Sequence, residues 1–97
     1  MQDFVSIEGR VTIDNSSEMG RRLAVALKPK PAEVTVDLSR VTYLEMSGLA
    51  TLVEAFRIAR QQGTRLVLTG IQGQVGYLLD VTRLNQLFDI AAAEGYP

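Results

Sequence analysis

The hydrophobic period of the chain changes in its middle third, and this change is the strongest constraint on the fold. Residues 34–38 alternate apolar and polar side chains, which is the pattern of a β-strand with one buried face. From residue 49 to residue 59 the apolar side chains recur instead at the spacing of one helical face, and Gly63 ends that pattern. The sequence therefore predicts a strand followed by a helix, with residues 43–48 at the junction between them.

The N-terminal segment predicts two further strands and a helix. Residues 4–7 and 11–13 are short alternating runs on either side of a glycine, which favours a β-hairpin. Asn15 is followed three positions later by Glu18, as in a capping box that opens a helix. The prolines of residues 29–31 then end this helix, because proline lacks an N–H donor and disfavours helical geometry in the residue before it. We therefore expect a hairpin followed by a helix.

The C-terminal half repeats the alternation of strand and helix. Residues 65–69 predict a strand closed by a glycine, residues 75–79 a helix, and residues 84–88 a short helical turn before Ile90 and Ala91. The last residues either add a short edge strand or fray. Alternation of this kind is typical of α/β proteins with a largely parallel sheet. We expect one domain over residues 1–97, since this length lies in the usual range for a domain.

Residue usage excludes several classes of function. Ten basic and 11 acidic residues give a net charge of -1, which provides no field to attract nucleic acid or an anionic membrane. The chain contains no cysteine and no histidine, which excludes disulfides, thiolate or imidazole zinc sites and Ser-His triads. The first residues lack a signal-peptide pattern, and no apolar run approaches membrane-spanning length. We therefore expect a cytoplasmic protein without a nucleic-acid partner, membrane insertion, metal or cofactor.

Residues 45–48 form the one segment that we interpret as a site. A strand-to-helix junction exposes unpaired N–H groups and the positive end of the helix dipole, so it suits a carboxylate, a capping hydroxyl or a phosphate. Ser47 is a candidate N-cap and a candidate phosphorylation site, and Gly48 serves either the turn or a close backbone approach. The Glu45 carboxylate either is solvated, accepts a hydrogen bond from neighbouring backbone or contacts a cation of a partner. Met46 is either core or an exposed apolar contact.

A second glycine-containing segment, residues 70–76, invites comparison with a phosphate-binding loop. Its glycines are spaced three apart and no Lys-Ser/Thr pair follows, so a strand-to-helix turn is the favoured interpretation. An enzyme would also need Ser47 to act as a nucleophile without an evident base. We therefore interpret the chain as a binding protein and not as an enzyme.

At the central strand and helix the chain resembles the STAS domain, the fold of bacterial anti-sigma factor antagonists. The resemblance covers nearly the whole chain, through the runs VSIEGRVTIDNSSEM, VTVDLSRVTYLEMSGLATLVEAFRIARQQGTRLVLTG and VGYLLDVTRLNQLFDI. Its most specific part is the aspartate-serine-serine-glycine-leucine signature of the antagonists, to which residues 45–49 correspond. The resemblance implies the STAS fold, a mixed, mostly parallel sheet of about five strands with three to four helices.

The resemblance also implies a mode of regulation. In the sigma-factor pathway the antagonist captures an anti-sigma kinase, and the kinase releases itself by phosphorylating a serine of the signature. Met46 stands at the first serine, the usual phosphoacceptor, and has no hydroxyl, while Glu45 replaces the aspartate and Ser47 stands at the second serine. Two outcomes follow: either Ser47 is phosphorylated instead, or the domain binds its partner constitutively.

The two strand-to-helix junctions, residues 14–17 and 43–52, are expected at one edge of the sheet, because the carboxyl ends of parallel strands meet there. The predicted partner is an anti-sigma factor or serine kinase. The alternative is a constitutive STAS subunit that docks on the ATPase of an ABC-type lipid transporter or on another signalling assembly. A homodimer is left open. The candidate partner-binding residues are Asp14, Asn15, Ser16, Glu45, Met46, Ser47, Gly48, Leu49 and Thr51.

Overall fold

The computed structural model describes residues 3–91, which alternate strand and helix along the chain. Over these residues the four strands form one sheet in the order β1-β2-β3-β4, and each neighbouring pair is parallel. The predicted α/β class with a mostly parallel sheet is confirmed. The elements are β1 (Asp3–Val11), α1 (Ser16–Leu27), β2 (Glu33–Leu44), α2 (Met46–Gln62), β3 (Arg65–Thr69), α3 (Gly73–Thr82), a 3-10 turn (Leu84–Gln86) and β4 (Asp89–Ile90).

The predicted N-terminal hairpin is wrong. Residues 4–7 and Val11 belong to the single strand β1, which pairs in parallel with β2 from Asp3 to Val11, whereas Thr12 and Ile13 lie in the loop after it. Gly9 has a φ of 79° but lies at an irregularity of the strand, where the register with β2 shifts, and not in a turn. A glycine with positive φ suits a bulge as well as a turn. The described part of the chain consequently holds four strands where about five were expected.

The predicted helix ends agree with the structure. α1 ends at Leu27, two residues before Pro29, and α2 ends at Gln62, where Gly63 follows as the C-cap with a left-handed φ of 81°. Residues 70–72 connect β3 to α3, which confirms the predicted strand-to-helix turn. Gly70 has a positive φ of 70°, and a Cβ there would lie 2.5 Å from the backbone nitrogen of Ser39, so this position favours glycine. Over residues 3–91, no helix has both the length and the apolar character required to cross a bilayer.

The hydrophobic core lies between the helices and one face of the sheet. On β2 the side chains of Val34, Val36 and Leu38 are at most 1% exposed, and they alternate with residues that are partly exposed. The buried side chains of all three helices join them in one cluster, to which Phe56 and Phe88 add an edge-to-face pair with centroids 5.5 Å apart. Burying a side chain of this size contributes about 1.5–3 kcal/mol. The core therefore fixes where each helix begins relative to the strand before it.

β2 is longer than its neighbour β3, and this difference shapes the candidate site. β3 ends at Thr69, opposite Asp37, whereas β2 continues to Leu44 with β1 as its only strand partner among the described residues. Tyr43 and Leu44 were predicted to belong to the junction and are in fact the end of this strand. The register shifts opposite residues 37–43 break the two-residue alternation, so the sequence pattern ends before the strand does.

One ion pair on α2 predicts a small pH dependence of stability. The hydrogen bond from Arg57 holds the pKa of the Glu54 carboxyl below its ordinary range. A lowered carboxyl pKa stabilises the fold above the unfolded pKa, and this contribution is lost as the pH falls through the folded pKa. We expect the wild-type chain to melt slightly above the Glu54→Gln variant at pH 7 and no higher than it at pH 3, as measured by thermal unfolding. A difference that persists at pH 3 would contradict this assignment.

Candidate partner-binding site

Glu45 joins the two strand-to-helix junctions at the carboxyl edge of the sheet. Its backbone N–H donates to the carbonyl of Val11 at 2.9 Å, which continues the pairing of β1 with β2. Its side chain reaches the same loop, because Oε1 accepts a hydrogen bond from the backbone N–H of Ile13 at 3.2 Å. The junctions therefore lie side by side, as the parallel sheet predicted. Of the three interpretations of Glu45, the bond to neighbouring backbone is the one that the structure contains.

The loop between β1 and α1 is folded by Asn15. Its Oδ1 accepts from the N–H of Thr12 at 2.8 Å, and its Nδ2 donates to the carbonyl of Arg10 at 2.8 Å. The predicted capping box is wrong, because the Asn15 side chain bonds to the loop and not to the helix, while the Glu18 carboxylate pairs with Arg21. The neighbouring Asp14 is exposed, and its N–H donates to the hydroxyl of Thr12 at 3.1 Å. Asn15 thus has a structural role that leaves Asp14 facing solvent.

Two apolar side chains are exposed where the junctions meet. Ile13 is 71% exposed and Met46 is 60% exposed. The backbone of Ile13 is hydrogen-bonded to the Glu45 side chain, and Met46 follows Glu45 in the sequence. The exposed alternative for Met46 is confirmed. Ile13 is not among the predicted partner-binding residues, because the alternating pattern of residues 11–13 predicts a hairpin strand there. We call Ile13, Asp14, Glu45 and Met46 the junction patch.

Ser47 does not cap α2. The helix begins at Met46 with Glu45 as its N-cap, and the carbonyl of Glu45 accepts from the N–H groups of Gly48 at 3.0 Å and Leu49 at 3.1 Å. Ser47 therefore lies in the first turn, and the predicted N-cap role is wrong. Its hydroxyl oxygen is buried and has no hydrogen-bond partner within residues 3–91. An unpaired buried hydroxyl is uncommon in native proteins.

Three of the predicted partner-binding residues, Ser16, Gly48 and Leu49, are buried in the domain, and a fourth, Thr51, is half-buried. Gly48 is buried, and a Cβ there would lie 2.6 Å from both Leu44 Cδ1 and Val11 Cγ1, so close approach and not a turn is the reason for this glycine. Leu49 is 1% exposed and Ser16 is 8% exposed. The Thr51 hydroxyl donates to the carbonyl of Ser47 at 2.9 Å, inside the α1–α2 contact. The burial of Ser16, Gly48 and Leu49 contradicts direct partner contact for these three, which support the junction from beneath. For the half-buried Thr51, partner contact stays a prediction.

The family is decided by a match that spans most of the chain. Residues 2–89 match the family model described as Mlab, STAS domain. The chain belongs to the STAS domain family. The anti-sigma-B factor antagonist of Bacillus subtilis is 28% identical to this STAS domain over 88 residues, which are 91% of this chain and 80% of the relative.

Solved structures show the same fold. A putative anti-sigma factor antagonist from Thermotoga maritima superposes on this STAS domain with a TM-score of 0.83 at 18% identity, covering 97% of this chain and 83% of that one. A sulfate transporter family protein from Wolinella succinogenes gives a TM-score of 0.76 at 19% identity, covering 88% and 69% of the two chains. The STAS fold implied by the resemblance is therefore confirmed.

Within this STAS domain the segment that corresponds to the antagonist signature forms the N-cap and first turn of α2. Its five residues divide into two groups. Glu45 and Met46 reach the surface, whereas Gly48 and Leu49 are buried and the hydroxyl of Ser47 points inward. Met46 is thus the most exposed residue of the signature, and Glu45 joins it to the β1–α1 loop.

Proposed function

We propose that this STAS domain is an anti-sigma factor antagonist-like regulatory protein, which binds an anti-sigma factor or serine kinase through the junction patch. The observation that carries the proposal is the exposure of Ile13 and Met46 on adjacent loops that Glu45 holds together. The name of the Bacillus subtilis relative supports the same class of function. The proposed activity is binding in the cytoplasm and involves no catalysis.

The chemistry of the junction patch suits a protein partner. In the free domain the isoleucine and methionine side chains expose apolar area to water, and a partner that covers them removes this area from water. The flexible methionine side chain also adapts to irregular surfaces. The backbone bonds of Glu45 and the side-chain bonds of Asn15 hold the loops in place before binding, which lowers the entropy cost of association. The exposed carboxylate of Asp14 favours a partner that presents a cation beside an apolar pocket.

A second candidate is a constitutive subunit of a transporter or of another signalling assembly. Two observations favour it. Met46 has no hydroxyl to phosphorylate, and the hydroxyl of Ser47 is buried, so a kinase would have to open the first turn of α2 or rotate the side chain outward. The fold similarity to a sulfate transporter family protein is consistent with this class. Under this candidate the junction patch is still the docking surface, but no phosphate switches it off.

Affinity purification of the tagged chain from its own cells, with intact-mass analysis of the recovered chain, distinguishes the two candidates. We expect the chain to be recovered unmodified with its partner, because the Ser47 hydroxyl is buried. A co-purifying anti-sigma factor supports the antagonist, and a transporter ATPase supports the constitutive subunit. A phosphate-sized mass increase mapped to Ser47, together with a serine kinase, would contradict constitutive binding and establish a phosphorylation switch at that residue.

A further inference from the structure

A side chain of α3 takes the place of a missing strand beside the end of β2. Because β3 ends opposite Asp37, no strand within residues 3–91 pairs with β2 on that side where it reaches Leu44. The amide of Gln74 lies there instead. Its Oε1 accepts from the N–H of Leu44 at 2.8 Å, and its Nε2 donates to the carbonyl of Leu44 at 2.9 Å. One side chain thus satisfies both backbone groups of the residue that precedes Glu45.

This pair of bonds requires a side chain that carries both a donor and an acceptor, as the amide of glutamine does. Only a side chain that accepts and donates in the same plane can serve the N–H and the carbonyl of one residue together. Gln74 is partly buried, so water replaces it poorly, and unpaired backbone groups in such a place are destabilising. Gln72, two residues earlier, also bonds to β2, but it makes a single bond from Nε2 to the carbonyl of Ser39 at 2.8 Å. Gln72 therefore holds the strand five residues away from the junction.

We propose that Gln74 is a positioning residue for the junction patch. The bonds to Leu44 hold the end of β2 against β1, and this alignment lets Glu45 donate to Val11 and accept from Ile13. Loss of the amide frays the end of β2 and releases the N-cap of α2, which moves Met46. The importance of this position for binding rests on the proposed function, but the positioning itself is a property of the free domain.

The test replaces the amide by a carboxyl group of the same shape. In Gln74→Glu the ionised carboxylate still accepts from the Leu44 N–H but repels the Leu44 carbonyl, whereas the protonated carboxyl donates and accepts as the amide does. We expect the backbone amide NMR signals of Ile13, Leu44 and Met46 to differ from wild type at pH 7. They should return toward wild type near pH 4, around the ordinary pKa of glutamate of about 4.3. Wild-type spectra at both pH values correct for other carboxylates, Glu45 included.

Two further variants complete the test. Gln74→Leu removes both bonds, so the same signals should differ at either pH and the Leu44 amide should exchange about tenfold faster with solvent. Gln72→Glu is the matched control, and its changes should be confined to the neighbourhood of Ser39. Unchanged signals at Ile13 and Met46 in both Gln74 variants would overturn the proposal, as would equal changes there in Gln72→Glu. Because no partner is present, the result does not depend on whether the junction patch binds protein.

Discussion

Gly48→Ala lowers the free energy of unfolding by about 2 kcal/mol, the largest loss of stability that we expect from a single added methyl group at the site. The new Cβ would lie 2.6 Å from Leu44 Cδ1 and 2.6 Å from Val11 Cγ1. Leu44 is 1% exposed and Val11 is 3% exposed, and the short β-branched side chain of Val11 has little room to rotate away. Overpacking of this kind costs about 1–3 kcal/mol, more than the gain of up to about 1 kcal/mol that alanine brings to a helix.

The measurement is thermal unfolding followed by circular dichroism, where a loss of about 2 kcal/mol corresponds to roughly 10 °C for a domain of this size. Gly20→Ala is the matched control on α1, because its Cβ would meet only the methyl of Thr51, at 3.3 Å. There the helix-propensity gain offsets the tight contact, and we expect little change in melting temperature. Equal melting temperatures for wild type and Gly48→Ala would show that the end of β2 yields to the added methyl group.

The elements that the sequence predicts correctly are those decided by local patterns. The change of period after residue 38 marks β2 and α2, and Pro29 and Gly63 mark the ends of the helices. These signals act over a few residues, and the backbone geometry that they favour does not depend on contacts with distant parts of the chain. The α/β class follows from the order of these elements.

The hairpin was wrong because strand pairing is a long-range property. Gly9 with a positive φ is compatible both with a turn between two short strands and with an irregularity in one long strand. The choice is made by β2, which lies about thirty residues further along the chain and offers β1 a parallel partner over its full length. No feature of residues 3–13 alone distinguishes the two arrangements.

The error at Ser47 has a long-range physical cause. Ser47 was predicted to cap a helix, but β2 runs on to Leu44 and α2 begins one residue after Glu45, so Ser47 falls inside the first turn. The end of β2 depends on Gln74 and on β1, neither of which is near Ser47 in the sequence. Leu49 is buried, as the helical period from residue 49 to residue 59 predicts, whereas Met46 and Ile13 are exposed.

Met46→Asp is expected to weaken partner binding by at least about 2 kcal/mol, about thirtyfold in Kd. In the proposed complex the Met46 side chain is covered by an apolar surface, and a carboxylate there would have to be desolvated without a partner of its own. We expect no loss of folding stability. Met46 is 60% exposed at the first position of α2, where the helix dipole favours a negative charge. The measurement is calorimetric titration with the partner purified alongside the wild-type chain, together with thermal unfolding of the variant.

Val25→Asp is the matched control, because Val25 is an apolar residue of similar exposure, 71%, in the second half of α1, away from the junction patch. It adds the same charge and should leave the affinity unchanged. Because Val25 lies in the last turn of α1, where the helix dipole opposes a negative charge, we expect its melting temperature to fall by a few degrees. Ile13→Asp should behave like Met46→Asp, since the two side chains flank Glu45 on adjacent loops. Unchanged affinity in Met46→Asp would remove the junction patch as the binding surface. Equal losses of affinity in Met46→Asp and Val25→Asp would instead show that the partner responds to net charge, because both variants add one negative charge and only Met46 is proposed to contact the partner.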